Sequence, residues 1–187
     1  MLTINEYRKV ESLEEAYELN QKKNNKIIAG GVWMKIGDRR IATAIDLSGL
    51  GLDQITETDT EFVIGAMTTL REIEKHAGLA AYTDGAIRES VRHIVGVQFR
   101  NCATVGGSIF GRFGFSDVLT VFLAMDTQVE LYHAGMVSLK EFIDMPYDND
   151  ILVALHVAKK PIRIAYLSQR NTATDFPVVA CAAVSYT

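Results

Sequence analysis

The spacing of apolar and polar positions along the chain predicts short helices and strands in close succession. Ser12-Leu-Glu-Glu is a capping-box pattern, and Leu13, Ala16, Tyr17 and Asn20 follow it at helical spacing. The polar, turn-like Lys22-Lys-Asn-Asn25 leads into Lys26-Ile-Ile-Ala29, an apolar run that predicts a buried strand and stops abruptly at Gly30-Gly31. Ala42 to Leu47 predicts a second strand, and with the helix these strands predict a small α/β lobe with parallel pairing. The polar stretch from Gly49 to Thr60 is a candidate lobe boundary.

Beyond it, Glu61–Gly65 predicts a strand, Thr69–Lys75 the start of a helix, and Ala86–Ile94 a second helix. Residues 101–126 hold the densest run of small residues and glycines. Thr127–Tyr132 alternates like a strand and Ser138–Ile143 predicts a short helix. Asp150–Ala158 and Ile162–Ser168 predict a hairpin turning at Lys159-Lys-Pro161, and Val178–Tyr186 predicts a last apolar strand. A strand so rich in Val, Ala and Cys needs a neighbour. The expectation is therefore a truncated C-terminal lobe or pairing with another subunit. The domain reading is an α/β lobe over residues 1–55, a second over 56–160, and over 161–187 the start of a C-terminal lobe or partner-pairing strands.

Composition narrows the function classes. At 187 residues the chain holds one ordinary domain, or two small lobes sharing a ligand. A net charge of −4 offers no basic field for a polyanion, so a nucleic-acid partner is not expected. No apolar run approaches the ~18 residues needed to span a bilayer. The opening after Met1 is polar, without the apolar core of a secretory signal. The expectation is a cytoplasmic protein with no membrane partner. Cys102 and Cys181 are far apart and form no CxxC pair, so the chain alone is not expected to ligate an iron–sulfur cluster. His76, His93, His133 and His156 show neither HxH nor HExxH spacing, and no metal site is expected.

Two glycine pairs carry the candidate chemistry: Ile27-Ile-Ala-Gly-Gly-Val-Trp33 and Ala103-Thr-Val-Gly-Gly-Ser-Ile109. Glycine allows positive φ and lets a phosphate approach backbone N–H groups with no Cβ in the way. Thr104 and Ser108 add hydroxyls at the edges of the second loop, and a helix beginning near Gly107 would supply free N–H groups. Gly-Gly also makes ordinary turns, so neither pair alone specifies a ligand. Neither fits a GxGxxG fingerprint, and no GxxxxGK[ST] loop occurs, which disfavours Rossmann and Walker-type nucleotide sites.

The order of motifs is more specific. Val97-Gln-Phe-Arg-Asn-Cys-Ala-Thr-Val-Gly-Gly-Ser-Ile109, then Ser116-Asp117, Leu123-Ala-Met-Asp126 and Gln128-Val-Glu-Leu131, resembles the second FAD motif of molybdopterin-dehydrogenase FAD subunits. That family includes the flavin domain of xanthine dehydrogenase and the medium subunit of carbon monoxide dehydrogenase. Ile28-Ala-Gly-Gly31 resembles the family's A-G-G-T-D loop, and Ile64–Ile73 its I-G-A-x-T-T-x-x-E-I segment. The likeness runs from about residue 4 to the C-terminus.

The resemblance implies an α/β (α+β) FAD-binding fold of the PCMH type, two small lobes with FAD between them. It implies that Ile28, Ala29, Gly30, Gly31, Val32, Trp33 and Met34 wrap the pyrophosphate from one side. Thr104, Val105, Gly106, Gly107 and Ser108 would do so from the other. Asp117 falls at an acidic position near the FAD adenosine, with a helix N-cap as its alternative role, and Ile94 and Leu152 fall at apolar contacts. It further implies an electron-transfer subunit with no catalytic side chain. Iron–sulfur and molybdopterin subunits, carrying the clusters and the molybdenum cofactor, would be partners, and NAD or another acceptor would take the electrons. The alternatives are a stand-alone flavoprotein reductase, or a scaffold that has lost FAD. Val32 and Trp33 depart from the family's first loop, Thr120 replaces a common proline, and Leu167 stands where relatives often carry lysine. Trp33 is a candidate to stack on the isoalloxazine or adenine, or to pack in the core. Arg112 is a candidate phosphate contact or a solvated side chain. Phe110, Phe113, Phe115 and Phe122 are expected in the core, with a partner-facing patch as the alternative.

Overall fold

Three sheets follow one another along the chain in this computed structural model, which describes residues 1–186. The first lobe contains β1 (Thr3–Lys9), α1 (Leu13–Asn20), β2 (Lys26–Ile28) and β3 (Arg40–Asp46). β3 lies in the middle with β1 and β2 both parallel to it, Tyr7 opposite Ala44 and Ile27 opposite Ile45. β3 buries Ile41, Ala44 and Ile45, whereas every residue of β1 is exposed. An edge strand with both faces in water needs no apolar alternation, so β1 is missing from the hydrophobic pattern that marks β2 and β3. The Ser12 hydroxyl caps α1 by accepting from the Glu15 N–H at 3.1 Å. The Glu15 carboxylate takes the Glu11 N–H and Arg8 in place of the reciprocal capping-box bond.

The second sheet is antiparallel. Its chain segment holds β4 (Ile55–Glu57), β5 (Glu61–Gly65), α2 (Leu70–Lys75), α3 (Ala77–Tyr82), α4 (Ala86–Arg92), α5 (Val97–Arg100), α6 (Val105–Phe110), α7 (Asp117–Ala124), β6 (Thr127–Leu131), β7 (Gly135–Ser138), α8 (Leu139–Asp144) and β8 (Leu152–Ala158). The strand order is β4-β5-β8-β6-β7. Alternation decides the faces. Phe62, Ile64, Val129, Leu131, Leu155 and Val157 join Leu70, Ile73, Ile87, Val118 and Phe122 of the helices in the main core. The other face carries Glu61, Glu130 and His156, whose imidazole nitrogens bond the two carboxylates at 3.0 and 3.1 Å.

β9 (Ile162–Gln169) and β10 (Val179–Tyr186) form a separate antiparallel pair. The hairpin expected between Asp150–Ala158 and Ile162–Ser168 is therefore corrected. Leu152 to Leu155 are buried without a break, and such a strand needs a neighbour on each edge, which β5 and β6 supply. After Ala158 the chain leaves that sheet. β9 buries Ile164 and Tyr166 against the helices, and the opposite face of the pair leaves Ala165, Leu167 and Cys181 exposed. The two lobes are stitched by Asn20 Nδ2 donating to the Asn149 carbonyl at 2.7 Å and by Tyr17 stacked on His133. No helix among the described residues is long and apolar enough to cross a membrane.

Candidate functional site

Both glycine pairs sit at the ends of short elements where the two lobes meet. The first follows β2. Gly30 presses on the start of the second loop so closely that a Cβ would stand 1.8 Å from the Cys102 carbonyl oxygen. Gly31 adopts φ +68°, a left-handed conformation, and Trp33 then returns to the right-handed region at the head of a 3-10 turn, Met34–Ile36. A change of handedness between neighbouring residues is the feature from which anion-binding nests are built. Among the described residues, the N–H groups of Gly30, Gly31, Val32, Trp33 and Met34 find no acceptor in the protein. Lys35 runs beside them, its Cε 3.8 Å from where a Cβ on Gly31 would lie. Five unpaired donors with a lysine alongside form a donor set for a polyanion such as a pyrophosphate.

The second loop is built differently. The expected helix starts at Val105, not near Gly107, and Thr104 caps it by accepting from the Gly107 N–H at 3.2 Å. The Val105 amide donates to the Thr68 carbonyl and the Gly106 amide to the Ala66 carbonyl, both at 2.9 Å. The Ser108 hydroxyl donates to the Thr104 carbonyl at 2.9 Å. The loop's first amides are thus satisfied internally, because they dock α6 onto the Ala66–Thr69 connection. Gly106 has no room for a Cβ, which would meet the Ala66 carbonyl at 2.6 Å, whereas Gly107 is exposed. Val32 and Ile94 pack onto the same apolar cluster that buries Leu152.

Asp117 is 5 % exposed and is the first residue of α7, while Ser116 is the cap that accepts from the Leu119 N–H. Asp117 Oδ1 accepts from the Tyr166 hydroxyl and from Arg170 Nη2. No protein donor reaches Oδ2 among the described residues. Burial first, and then the Asp117 acceptor, push the Tyr166 phenol well above its ordinary value. Arg170 also donates from Nη1 to the Asp175 carbonyl at 2.5 Å. Sequence reasoning missed Tyr166 and Arg170, since nothing local marks a contact between segments about fifty residues apart. It also missed Lys35, which directly follows the first loop in sequence.

Two aromatic expectations are corrected. Phe122 is buried and Phe110 packs on the core, but Phe113 and Phe115 are exposed and meet Trp33 at ring-centroid distances of 5.4 and 6.0 Å. Arg112, between Phe110 and Phe113, adopts φ +47°. Its own guanidinium does not lie free in solvent. It sits over the Phe142 and Tyr147 rings at 4.0 and 4.6 Å and donates to the Met145 carbonyl.

The model of one family, the FAD binding domain in molybdopterin dehydrogenase, matches residues 3–159. This chain belongs to that family. A molybdopterin-dehydrogenase FAD domain is also what its fold resembles. A cyanide-inactivated Cu,Mo-CO dehydrogenase superposes with a TM-score of 0.87 at 24% identity, over 98% of this chain and 70% of that one. Quinoline 2-oxidoreductase from Pseudomonas putida 86 gives 0.85 at 19% identity, over 95% and 67%. The uncharacterized protein YgfM of Escherichia coli (strain K12) is 27% identical over 192 residues, covering 98% of this chain and 70% of its own length. The chain thus spans about 70% of the length of that relative. The α+β FAD-binding fold expected from the motifs is the fold observed, and FAD is the family's cofactor. The residues present fit it, because the unpaired amide run supplies what a pyrophosphate requires.

Proposed function

We propose that this chain is the FAD-binding electron-transfer subunit of a molybdenum hydroxylase-type dehydrogenase. It would receive electrons from iron–sulfur clusters of one partner subunit, with a molybdopterin subunit as the second partner, and deliver them to NAD or another acceptor. The observation that carries the reading is the run of five unpaired amides from Gly30 to Met34, with Lys35 beside it. When bound, FAD supplies the exchange between single-electron and two-electron transfer. The chain's own residues bind and orient it.

In this reading residues 28–34 hold the pyrophosphate through backbone donors. The loss of the family's hydroxyl and acid at Val32 and Trp33 leaves that contact intact, since the donors are main-chain groups. Thr104 to Ser108 brace the first loop and expose Gly107 to the phosphates, acting as a wall more than as a second set of donors. The open oxygen of Asp117 accepts a ribose hydroxyl, and it would repel a phosphate at the same place. Ile94 and Leu152 present apolar surface to the rest of the cofactor. No side chain is required as nucleophile or general base.

The test is an absorbance spectrum of the purified chain before and after adding FAD and removing the excess. Retained flavin absorbance, lost on Gly107→Leu with the far-ultraviolet circular dichroism unchanged, supports the reading. A folded chain that takes up no FAD sinks it and favours a scaffold role. Molybdenum and iron co-purifying with the flavin separate a complex subunit from a stand-alone reductase.

A further inference from the structure

The turn after α4 combines a backbone outlier with apolar side chains in water. Val95 adopts φ +49°, a left-handed conformation that a β-branched residue rarely accepts. Buried groups hold it there. Arg100 Nη1 donates to the Ile94 carbonyl at 3.2 Å, and Arg100 is itself fixed by the Glu74 carboxylate. Ile94 packs inward on the main core, whereas Val95 and Val97 are 51% and 43% exposed. Strain of this kind persists where the surrounding structure over-determines it, and it gathers at functional sites.

The helix leading into the turn supplies charge. Arg88 and Arg92 lie four residues apart on one face of α4, and both are exposed. Glu89 pairs with Arg92 at 3.1 Å. Among the described residues, no carboxylate lies within ion-pair reach of Arg88. Asp84 precedes the helix, at the end away from the turn. In a chain of net charge −4, the stretch from Arg88 to Val97 is therefore a locally basic surface that runs into two bare valines.

We propose that Arg88, Arg92, Val95 and Val97 form the docking surface for the iron–sulfur partner, the guanidiniums steering its negatively charged cluster end onto the strained turn. The inference rests on the electron-transfer reading above. In that reading Ile94 presents apolar surface to the cofactor, so the turn is a thin wall between cofactor and solvent. Transfer of single electrons weakens steeply with distance, and a thin wall is where a donor has to sit. A cluster ligated by cysteine thiolates is negatively charged in either oxidation state. An apolar centre with a guanidinium rim complements it. Because the Arg100–Glu74 pair presets the turn, docking does not have to order it.

The test uses the whole chain, affinity-tagged and purified from the cells it comes from. Flavin, iron and the electron paramagnetic resonance signal of reduced clusters are measured per chain. Wild type is expected to carry flavin and iron together, and to lose iron as the salt of the wash is raised. Arg88→Glu/Arg92→Glu is expected to lower iron by about tenfold or more with flavin unchanged. Lys22→Glu/Lys23→Glu, an exposed pair on the first lobe, keeps both. Val95→Gly removes the strain and the apolar contact together, so a higher urea midpoint with less iron is expected. Iron retained by Arg88→Glu/Arg92→Glu overturns the docking surface, as does flavin without iron in the wild type. Retained iron with slower flavin reduction by NADH assigns the surface to the acceptor instead. A folded wild type without flavin sinks the FAD reading itself, whatever its iron content.

Discussion

Gly30 and Cys102 are in backbone contact across the two lobes, with no space between them for even a methyl group. The two glycine motifs, far apart in sequence, are therefore a single packed unit. Their glycines do different work: Gly30 permits this close approach, whereas Gly31 permits the left-handed turn.

Gly30→Ala is expected to force the loops apart and to destabilise the protein by about 2–3 kcal/mol, the usual scale for overpacking. Gly31→Ala meets only the tip of the Lys35 side chain and is strained through its φ alone, so about 1 kcal/mol is expected. Urea denaturation of both variants checks the order. Equal losses would mean that the loops do not touch as described.

Lys35→Ala should leave stability unchanged and weaken FAD binding roughly two- to fivefold, the scale of one exposed ionic contact. The salt dependence of FAD affinity should become shallower as well. Calorimetry at two ionic strengths measures both, and an unchanged salt slope would remove Lys35 from the site.

A buried ion pair ties α5 to α2. Arg100 Nε and Nη2 bond the Glu74 carboxylate at 2.8 and 3.2 Å. Burial raises the Glu74 pKa, but the Arg100 and Arg71 bonds outweigh it and the net shift is downward. Arg100→Met alone should cost about 1–3 kcal/mol, since Glu74 loses a buried partner but keeps Arg71, and the Glu74→Gln/Arg100→Met double variant should cost less than the single losses summed. A double-mutant cycle by urea unfolding tests this, with strict additivity as the contrary result.

His156 is expected to make the fold pH-dependent. Burial lowers its pKa, but its bonds to Glu130 and Glu61 outweigh that and raise it above the ordinary imidazole value. The folded protein then holds a proton that the unfolded chain gives up near pH 6.5 (about the ordinary value). The stabilisation is complete below that pH and fades as pH rises through the folded pKa. His156→Gln should flatten the decline of the urea midpoint across this window. A decline that survives the substitution belongs to another group.

Tyr166→Phe should cost about 1 kcal/mol, because Asp117 keeps its Arg170 partner. Since the folded phenol titrates above the unfolded value of about 10, wild-type stability should fall as pH rises beyond that value, and less so in the variant. Alkaline denaturation followed by circular dichroism reads the difference.

Much of the fold was legible where burial imposes a pattern. β2, β3, β5, β6 and the capped helices α2 and α8 stand out because apolar residues recur at the spacing of the element, with a Thr69–Glu72 or Ser138–Glu141 box at the helix start. β1 was invisible because an exposed edge strand is held by backbone bonds that accept any side chain. The pairing of β8 was misread because nearness in sequence favours a hairpin, whereas the partners that bury it are β5 and β6. At the site, the order of motifs located both glycine loops. It did not reveal which loop keeps its amides free, or that Trp33 meets Phe176, since those outcomes depend on contacts between segments that share no local signal.

The central place of β8 has a consequence for how the chain is made. The Glu61–His156 bond spans 95 residues, and β5 has no inner neighbour until β8 exists. During synthesis, β4 and β5 emerge with Phe62 and Ile64 uncovered and must wait while the helices and two further strands are added. A ribosome adding about 5–20 residues per second imposes a delay of several seconds on that sheet edge. Over that interval the nascent chain presents an open strand to chaperones or to its own copies, so yield on overexpression is expected to depend on translation speed and temperature before any cofactor is supplied.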